Sequence, residues 1–246
     1  MTTWSDLTHA YGSAEDIPGL FEQLDVPGDH DQAWEQLWSA LWHQGTVYSA
    51  SFAALTPLAA LAADDERHRD DRLQAAGLGG AIMSDEHQMH DAGDVRRQYA
   101  AEISQLHKAA QTLLDAQADH ETYTMLLQTI LALEGVPIWG SNLEQLLGEE
   151  YEVECPGCET SLFIALGSRG YFSTAEDYAL QNQVHALALH PADPAELQTI
   201  GKRLYDTAHG DGQATLAEQI LHLFGTASCT ECGAAFTVAD QVTELD

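Results

Sequence analysis

The sequence contains 246 residues, of which 39 are Asp or Glu and only nine are Lys or Arg, so its formal net charge is −30 at pH 7. Hydrophobic residues make up 45% of the chain, which is enough to bury a core and excludes a wholly disordered protein. The scarcity of basic residues excludes direct binding to nucleic acids and to anionic membranes, because both require Lys and Arg near phosphates.

Two helices are predicted at the start of the chain. The first begins after Asp16, which can cap it, with Pro18 in its opening turn, where a missing N–H is harmless. The second begins near Asp31 and carries five apolar residues at the spacing of one helical face, namely Trp34, Leu37, Trp38, Leu41 and Trp42. We interpret this stripe as core, with an exposed aromatic anchor for a partner as the alternative.

Further helical segments follow up to residue 147. They cover residues 46–63, 70–83, 94–118 and 125–133, and a short helix capped by Ser141 ends the series. Pro57 should bend the first of these segments or split it in two, because proline removes a backbone donor inside a helix. Three glycines are expected to weaken the segment at 70–83.

A polar segment at residues 84–94 is typical of a loop between two helices. Six of its side chains could hold a second metal ion: Asp85, Glu86, His87, His90, Asp91 and Asp94. Two of the histidines are three residues apart, but the segment offers little apolar support. This composition favours a solvated acidic loop over a metal site.

The helical half shows a weak repeat and one longer motif. Pro18 and Pro57 lie 39 residues apart, close to the period of about 40 residues found in stacked helical pairs. The motif comprises Trp38, His43-Gln44-Gly45-Thr46-Val47-Tyr48, Ala50, Ala53, Ala54, Pro57 and Leu58. It resembles the helix-turn-helix of bacterial HEAT-like repeat proteins over residues 15–147. The resemblance implies a helical scaffold for protein binding without a fixed reaction.

All four cysteines fall into two pairs, each with two intervening residues: Cys155 with Cys158, and Cys229 with Cys232. This spacing lets one tight turn direct both sulfurs to one ion, and two such knuckles complete a tetrahedral shell. We predict one structural zinc ion. The alternatives are buried metal-free thiols, a thioredoxin-type dithiol at Cys155-Pro156-Gly157-Cys158 and a rubredoxin-like iron site.

Short β-forming runs flank both cysteine pairs, so each knuckle is predicted on a β-hairpin, and together they resemble the halves of a zinc ribbon. Seventy residues separate Cys158 from Cys229, against about 15–20 in a compact pattern. A helical insertion is therefore expected at about residues 172–225. Its three predicted helices run from Ser173 or Thr174 to Ala188, from Pro194 to about Tyr205, and from Ala214 to Phe224.

The expected fold is mainly α, with HEAT-like helical hairpins and a small β zinc ribbon interrupted by a helical insertion. The domain boundaries are placed at residues 1–147 for the HEAT-like domain and 148–246 for the zinc-ribbon-like module. No segment approaches the length of about 18 apolar residues typical of a membrane helix, and the N-terminus does not resemble a secretion signal, so a cytoplasmic location is expected.

Charge distribution gives the clearest indication of a partner. Residues 1–66 contain eleven acids without any Lys or Arg, and residues 109–168 contain ten more without any. Three interpretations fit this acidity: solubility, docking of a basic protein, or mimicry of a polyanion. A non-enzymatic adaptor or immunity-like inhibitor of a basic protein is the main hypothesis, with His43, Gln44 and Thr46 as structural turn residues.

Two other classes of function stay open. One is a metal- or thiol-dependent enzyme, whose site would have to be assembled from residues distant in sequence. The other is a regulator that reaches nucleic acid only through a partner. No Gly-rich phosphate loop, nucleophile elbow or metalloprotease helix motif occurs in the sequence.

Overall fold

The computed structural model describes residues 3–28, 30–84, 92–115, 117–181 and 183–242. These residues are mainly helical, with eleven α-helices and small antiparallel sheets, as the sequence predicted. The chain forms two compact units: unit 1 is Met1–Leu114 with Met125–Ser141, and unit 2 is Asp115–Thr124 with Asn142–Asp246. Unit 1 contains all five tryptophans, and unit 2 contains all four cysteines.

Unit 1 consists of helices and two short hairpins. Its elements are β1 Thr8–His9, β2 Gly12–Ser13, α1 Ile17–Gln23, α2 Asp31–Leu41, β3 Trp42–His43, β4 Thr46–Val47, α3 Ser49–Ala63, α4 Arg69–Ser84, α5 Ala92–Gln98 and α6 Ala100–Leu113. Helix α7, His120–Glu134, and helix α8, Trp139–Asn142, each belong partly to unit 1 and partly to unit 2. Short 3-10 helices precede β1 and α1.

Helix α3 lies at the centre of the unit 1 core, where it packs against α4 and α6. Its residues are apolar on all sides, and most of them are buried. Pro57 was predicted to bend or split this helix, and it does not split it, because α3 continues through this residue without interruption. The glycines of α4 have a packing role, since an added Cβ at Gly79 would lie 2.8 Å from Leu106 and one at Gly80 would lie 2.9 Å from Thr129.

The tryptophan stripe of the second helix is part of the core, as predicted. Trp34 is buried, and Trp38 and Trp42 are partly buried against the same core cluster. The helix is one residue shorter than its stripe, because Trp42 lies in strand β3. Strands β3 and β4 pair across the two-residue turn Gln44-Gly45, and this hairpin joins α2 to α3.

Four arginines donate hydrogen bonds to the last carbonyl groups of helices in unit 1. Arg67 Nη1 bonds Leu24 O at 2.5 Å, Arg69 Nη2 bonds Leu113 O at 3.1 Å, Arg72 Nε bonds Ala62 O at 3.0 Å, and Arg96 Nη1 bonds Leu133 O at 2.8 Å. These carbonyls lack partners within their own helices and carry the negative end of the helix dipole. Much of the scarce positive charge is therefore committed to helix ends.

A buried carboxylate joins two helices of unit 1. Asp71, in the first turn of α4, accepts hydrogen bonds from Trp34 Nε1 at 2.8 Å and from His30 Nδ1 at 2.9 Å. The second ring nitrogen of His30 lies 2.9 Å from the carbonyl oxygen of Val26. Because both ring nitrogens face acceptors, the doubly protonated ring satisfies both bonds. His30 and Asp71 thus form a partly buried ion pair.

We expect the stability of unit 1 to decrease as the pH rises above 6.5. The carbonyl of Val26 and the carboxylate of Asp71 raise the pKa of His30 above its ordinary value of 6.5. The stabilisation by protonated His30 is therefore complete below pH 6.5 and is lost as the pH passes the pKa of the folded state. Urea unfolding followed by tryptophan fluorescence, at about pH 6 and about pH 8, measures this loss. An equally steep loss in His30→Gln would contradict the assignment.

Unit 2 combines a four-stranded antiparallel sheet, a separate hairpin and helices. After a 3-10 helix at Leu143–Gly148, its elements are β5 Glu150–Glu154, β6 Ser161–Gly167, β7 Gly170–Thr174, β8 Leu187–Ala188, α9 Thr199–Gly210, α10 Ala214–Leu223, β9 Thr226–Ser228, β10 Ala235–Thr237 and α11 Val238–Gln241. The sheet has the order β5-β6-β7-β8, and β9 pairs with β10.

One face of the sheet in unit 2 is buried. Tyr151 and Val153 of β5 are buried together with three alternating residues of β6, namely Leu162, Ile164 and Leu166. Helix α10 contacts β6 and packs against α9. The buried Gln219 of α10 donates to the carbonyl of Leu166 at 2.9 Å, which fixes the helix to the sheet.

The first predicted helix of the insertion, residues 174–188, is wrong. Thr174 ends β7, and the described residues from there to β8 form turns and loop. Thr174 Oγ1 accepts a bond from Glu176 N–H at 3.0 Å, and Asp177 Oδ1 accepts one from Ala179 N–H at 3.0 Å. Such side-chain to backbone bonds cap helices, but they also close turns. Here they stabilise turns beside the sheet.

Other helix boundaries also differ from the prediction. Pro194 precedes α9, which begins at Thr199, whereas the last predicted helix of the insertion corresponds to α10 and is confirmed. The segment predicted at 94–118 is two helices, α5 and α6, separated at Tyr99. The acidic segment 85–91 lies outside the described residues. Within the part of the chain that the structure describes, no helix is long and apolar enough to cross a membrane.

Candidate metal centre

Each cysteine pair occupies the end of a β-hairpin, as the sequence predicted. The first knuckle follows β5 and precedes β6, whose register pairs Glu154 with Ser161. The second knuckle lies between β9 and β10, which pair Ser228 with Ala235. In both hairpins the backbone pairing ends at the first cysteine, with Cys155 N–H bonding Thr160 O and Cys229 N–H bonding Ala234 O, both at 2.9 Å. The turn residues are therefore free to direct the sulfurs away from the sheet ladder.

Both knuckles have the same backbone turn. Glu159 N–H bonds the carbonyl of Cys155 at 2.9 Å, and Gly233 N–H bonds the carbonyl of Cys229 at 3.0 Å. The residue at this position has a left-handed backbone in each case, with φ of 59° at Glu159 and 75° at Gly233. Glycine adopts this conformation without steric cost, whereas other residues are disfavoured there.

Gly233 and Glu159 give a matched pair of substitutions. An added Cβ at Gly233 would have no atom within 4 Å, so Gly233→Ala tests the backbone conformation alone. We expect this variant to destabilise unit 2 by about 1 kcal/mol, and Glu159→Gly to be neutral or slightly stabilising. Thermal unfolding of the two purified variants checks both values. Equal losses in both would show that the left-handed turn does not limit stability.

Backbone N–H groups of the knuckles also point at sulfur. Gly157 N–H donates to Cys155 Sγ at 3.3 Å, and Glu231 N–H donates to Cys229 Sγ at 3.4 Å. Hydrogen bonds of this kind stabilise the thiolate form, which is the form that binds metal ions. The two-residue spacing of each pair produces these bonds, because it turns the next amide back towards the first sulfur.

The four sulfurs converge on one point. Cys155 Sγ and Cys232 Sγ are 3.6 Å apart, Cys158 Sγ and Cys229 Sγ are 3.7 Å apart, and all four lie within 4.8 Å of one another. A tetrahedral metal ion with metal–sulfur bonds of ~2.3 Å would place its ligands ~3.8 Å apart. All four cysteines are free thiols. The residues therefore fit one four-coordinate metal ion.

The pKa values of the exposed thiols also favour a cation at this point. The hydroxyl and N–H of Thr160 lower the pKa of Cys158 to about 6. The Ala234 N–H lowers the pKa of Cys232, but the sulfurs of Cys158 and Cys155 outweigh it and raise that pKa to about 12. Ionisation of Cys158 thus makes ionisation of the neighbouring Cys232 harder. Four thiolates can exist together when a positive ion lies between them.

Each knuckle contributes one buried and one exposed cysteine: Cys155 and Cys229 are buried, whereas Cys158 and Cys232 are exposed. The close sulfur pairs therefore each join a buried cysteine of one hairpin to an exposed cysteine of the other. A metal ion bound here would connect the two hairpins. It would have four protein ligands and no open position for water or substrate.

Ser173 supports the metal centre, although the sequence did not reveal this role. It is fully buried in β7, and its hydroxyl donates to the carbonyl of Ser228 at 2.7 Å. Ser228 directly precedes Cys229, so this bond fixes the second knuckle to the sheet that carries the first. The local sequence predicted Ser173 as a helix cap instead. Its true partner lies 55 residues away, so the local sequence could not indicate it.

Most of the other candidate metal ligands lie outside the described residues. Among the residues described, the four cysteines are the only group of three or more potential ligands placed to hold a metal ion. Asp94 lies in α5, and the remaining members of the predicted acidic cluster are outside the described residues. His43, Gln44 and Thr46 lie in the β3–β4 hairpin.

No protein family, curated protein or solved structure matches this chain. The class that the fold and the site define is a mainly helical protein with a four-cysteine cluster able to hold a metal ion. Its function has to follow from the chemistry of its own residues.

Proposed function

We propose that this chain is a non-enzymatic protein-interaction scaffold whose second unit is stabilised by one structural zinc ion. The observation that carries the proposal is the convergence of four sulfurs from two hairpins, at separations that suit a tetrahedral ion. A shell of four thiolates leaves no open position, which is typical of structural sites and not of catalytic zinc.

Zinc is preferred over the alternatives for two reasons. Four thiolates in a tetrahedral arrangement suit zinc or iron, and zinc serves a purely structural role because it undergoes no redox change. A thioredoxin-type dithiol needs two sulfurs within one motif. Here the nearest sulfurs belong to opposite knuckles, Cys155 to Cys232 and Cys158 to Cys229, which supports a shared ion.

We further propose that the two hairpins form a zinc-ribbon-like module interrupted by the segment that includes β7, β8, α9 and α10. The hydrogen bond from Ser173 to Ser228 supports this arrangement, because it connects the insertion to the second knuckle. The zinc ion would hold together two hairpins of only a few residues each, which could not bury enough apolar surface by themselves.

For unit 1 we propose a HEAT-like helical scaffold. The packing of α3 against α4 and α6 supports it, since repeat proteins bury each apolar helix against its neighbours. The motif residues Gln44 and Gly45 form the tight turn between β3 and β4. A turn of this kind has a structural role and supports a scaffold more than a reaction centre.

The proposed partner is a basic protein in the same compartment, which we take to be the cytoplasm. Arg67, Arg69, Arg72 and Arg96 bond helix ends, and Arg67 and Arg72 also pair with the exposed Asp25 and Asp65. Nine basic residues against 39 acids nevertheless leave a formal net charge of −30. Such a surface attracts cationic proteins and accelerates their association at low ionic strength. It repels nucleic acids and other anions.

Affinity capture from native cells, at about 50 mM and about 500 mM salt, tests the proposed partner. We expect a basic protein to be retained at the lower salt concentration and released at the higher one, because salt screens exposed charges. The same chain with its exposed acids changed to Gln and Asn is the control. An acidic partner, or no specific partner at either salt concentration, would contradict the docking proposal.

A further inference from the structure

Strand β5 forms one edge of the four-stranded sheet in unit 2. Its hydrogen bonds to β6 involve alternate residues, as in any antiparallel pair. The bonds from Cys155 N–H to Thr160 and from Leu166 N–H to Glu149 are the two ends of this ladder. The odd-numbered residues of β5 therefore bond β6. The backbone groups of the three even-numbered residues, Glu150, Glu152 and Glu154, point away from the sheet.

These three residues have no backbone partner among the described residues. An edge strand with free N–H and C=O groups can accept a further strand, and proteins normally prevent this by placing charges on the edge. Glu152 and Glu154 are exposed, and Glu150 is half-buried. Their charges would repel the same edge of a second copy of this chain.

The same charges make the edge selective for a cationic strand. Side chains of a β-strand alternate between its two faces, so all three glutamates lie on the outer face, opposite the buried Tyr151 and Val153. Successive glutamates are ~7 Å apart along the strand. Among the described residues, Glu152 and Glu154 have no ion pair with Lys or Arg, whereas Glu150 bonds the hydroxyl of Tyr178, whose ring lies against Arg169. An added strand with Lys or Arg at every second position would place each cation opposite one glutamate.

We propose that the free edge of β5 binds an extended basic segment of the partner as an added β-strand. This inference rests on the proposed function, and it specifies how the partner is recognised. Backbone hydrogen bonds at Glu150, Glu152 and Glu154 provide the pairing, and their carboxylates select Lys and Arg at alternate positions. Recognition thus depends on both the spacing of the cations and the partner's backbone N–H groups.

A synthetic peptide with alternating Thr and Lys, seven residues long and fluorescently labelled, tests the inference with the full-length, metal-loaded protein. Fluorescence anisotropy at low salt should detect saturable binding. A peptide of the same composition with its lysines in one block should bind at least about fivefold more weakly. N-methylation of the alternate amides that face β5 should weaken binding by at least about tenfold, because it removes the backbone donors without changing the charge.

Substitution of the edge provides the matched test. Glu152→Pro removes an N–H that faces away from β6, so the sheet keeps its ladder, and proline is tolerated on edge strands. We expect it to weaken peptide binding more than Glu152→Gln, which removes only the charge. Equal affinities for the alternating, blocked and N-methylated peptides would overturn the inference. A basic protein captured equally well by Glu152→Pro would also overturn it, while leaving the proposed function intact.

Discussion

Cys232→Ser is expected to remove the metal ion and destabilise unit 2 by at least about 3 kcal/mol, because the binding energy of a structural zinc ion contributes directly to folding. For a unit of this size, such a loss should lower the unfolding midpoint by more than about 10 °C. Cys232 is exposed, so the serine leaves no cavity in the core. The loss therefore measures the missing ligand and not altered packing.

Cys232→His is the matched control at the same position. A histidine nitrogen replaces the thiolate as a fourth ligand in many structural zinc sites, and an exposed position has room for the ring. We expect this variant to keep the metal ion and most of the stability of unit 2. Metal content and hydrogen exchange over residues 142–242 report both effects. Full metal content and unchanged protection in the serine variant would show that Cys232 is not a ligand.

Asp71→Ala is expected to destabilise unit 1 by about 3–5 kcal/mol, because it leaves His30 and the Trp34 N–H without their buried acceptor. Asp71→Asn keeps one acceptor oxygen and should lose less. Trp34→Phe removes only the indole donor and a little volume, so it should cost about 1–2 kcal/mol. The order of the three losses separates the ion pair from the hydrogen bond.

Urea unfolding followed by tryptophan fluorescence measures these losses, since every tryptophan lies in unit 1. Trp38 and Trp42 remain as reporters in Trp34→Phe. A loss below about 1 kcal/mol in Asp71→Ala would contradict the buried ion pair. So would a larger loss in Trp34→Phe than in Asp71→Ala, because the carboxylate would then contribute less than one of its donors.

The cysteine cluster could be predicted from the sequence because its information is local. Two residues between ligands, with β-forming residues on each side, are sufficient to place Cys155 and Cys158 on one hairpin. The second pair then follows by the same pattern. The bond from Ser173 to Ser228, which supports the site, could not be predicted, since nothing near Ser173 in the sequence indicates a partner 55 residues away.

Helix prediction succeeded where apolar periodicity was strong and failed where polar residues had two possible roles. Helices α2 and α10 carry clear apolar faces, and their positions agree with the prediction to within a few residues. Thr174 and Asp177 resemble helix caps, but they close turns beside the sheet. The pairing of β7 with β8 decides between these outcomes, and it is not visible in the local sequence.

The position of the charges was visible in the sequence, but their use was not. Five of the nine basic residues are arginines between residues 67 and 97. In the folded chain, Arg67, Arg72 and Arg96 bond carbonyls at the ends of three different helices. Each of these partners depends on tertiary packing. The acidic edge of β5 likewise became apparent only when the order of the strands was known.

Metal analysis of freshly purified protein, combined with thiol titration before and after chelation, tests the central proposal most directly. We expect one zinc ion per chain, four thiols that react slowly before chelation, and four that react rapidly afterwards. Iron in place of zinc, or a reversible loss of two or four thiols to disulfides without bound metal, would contradict a structural zinc ion.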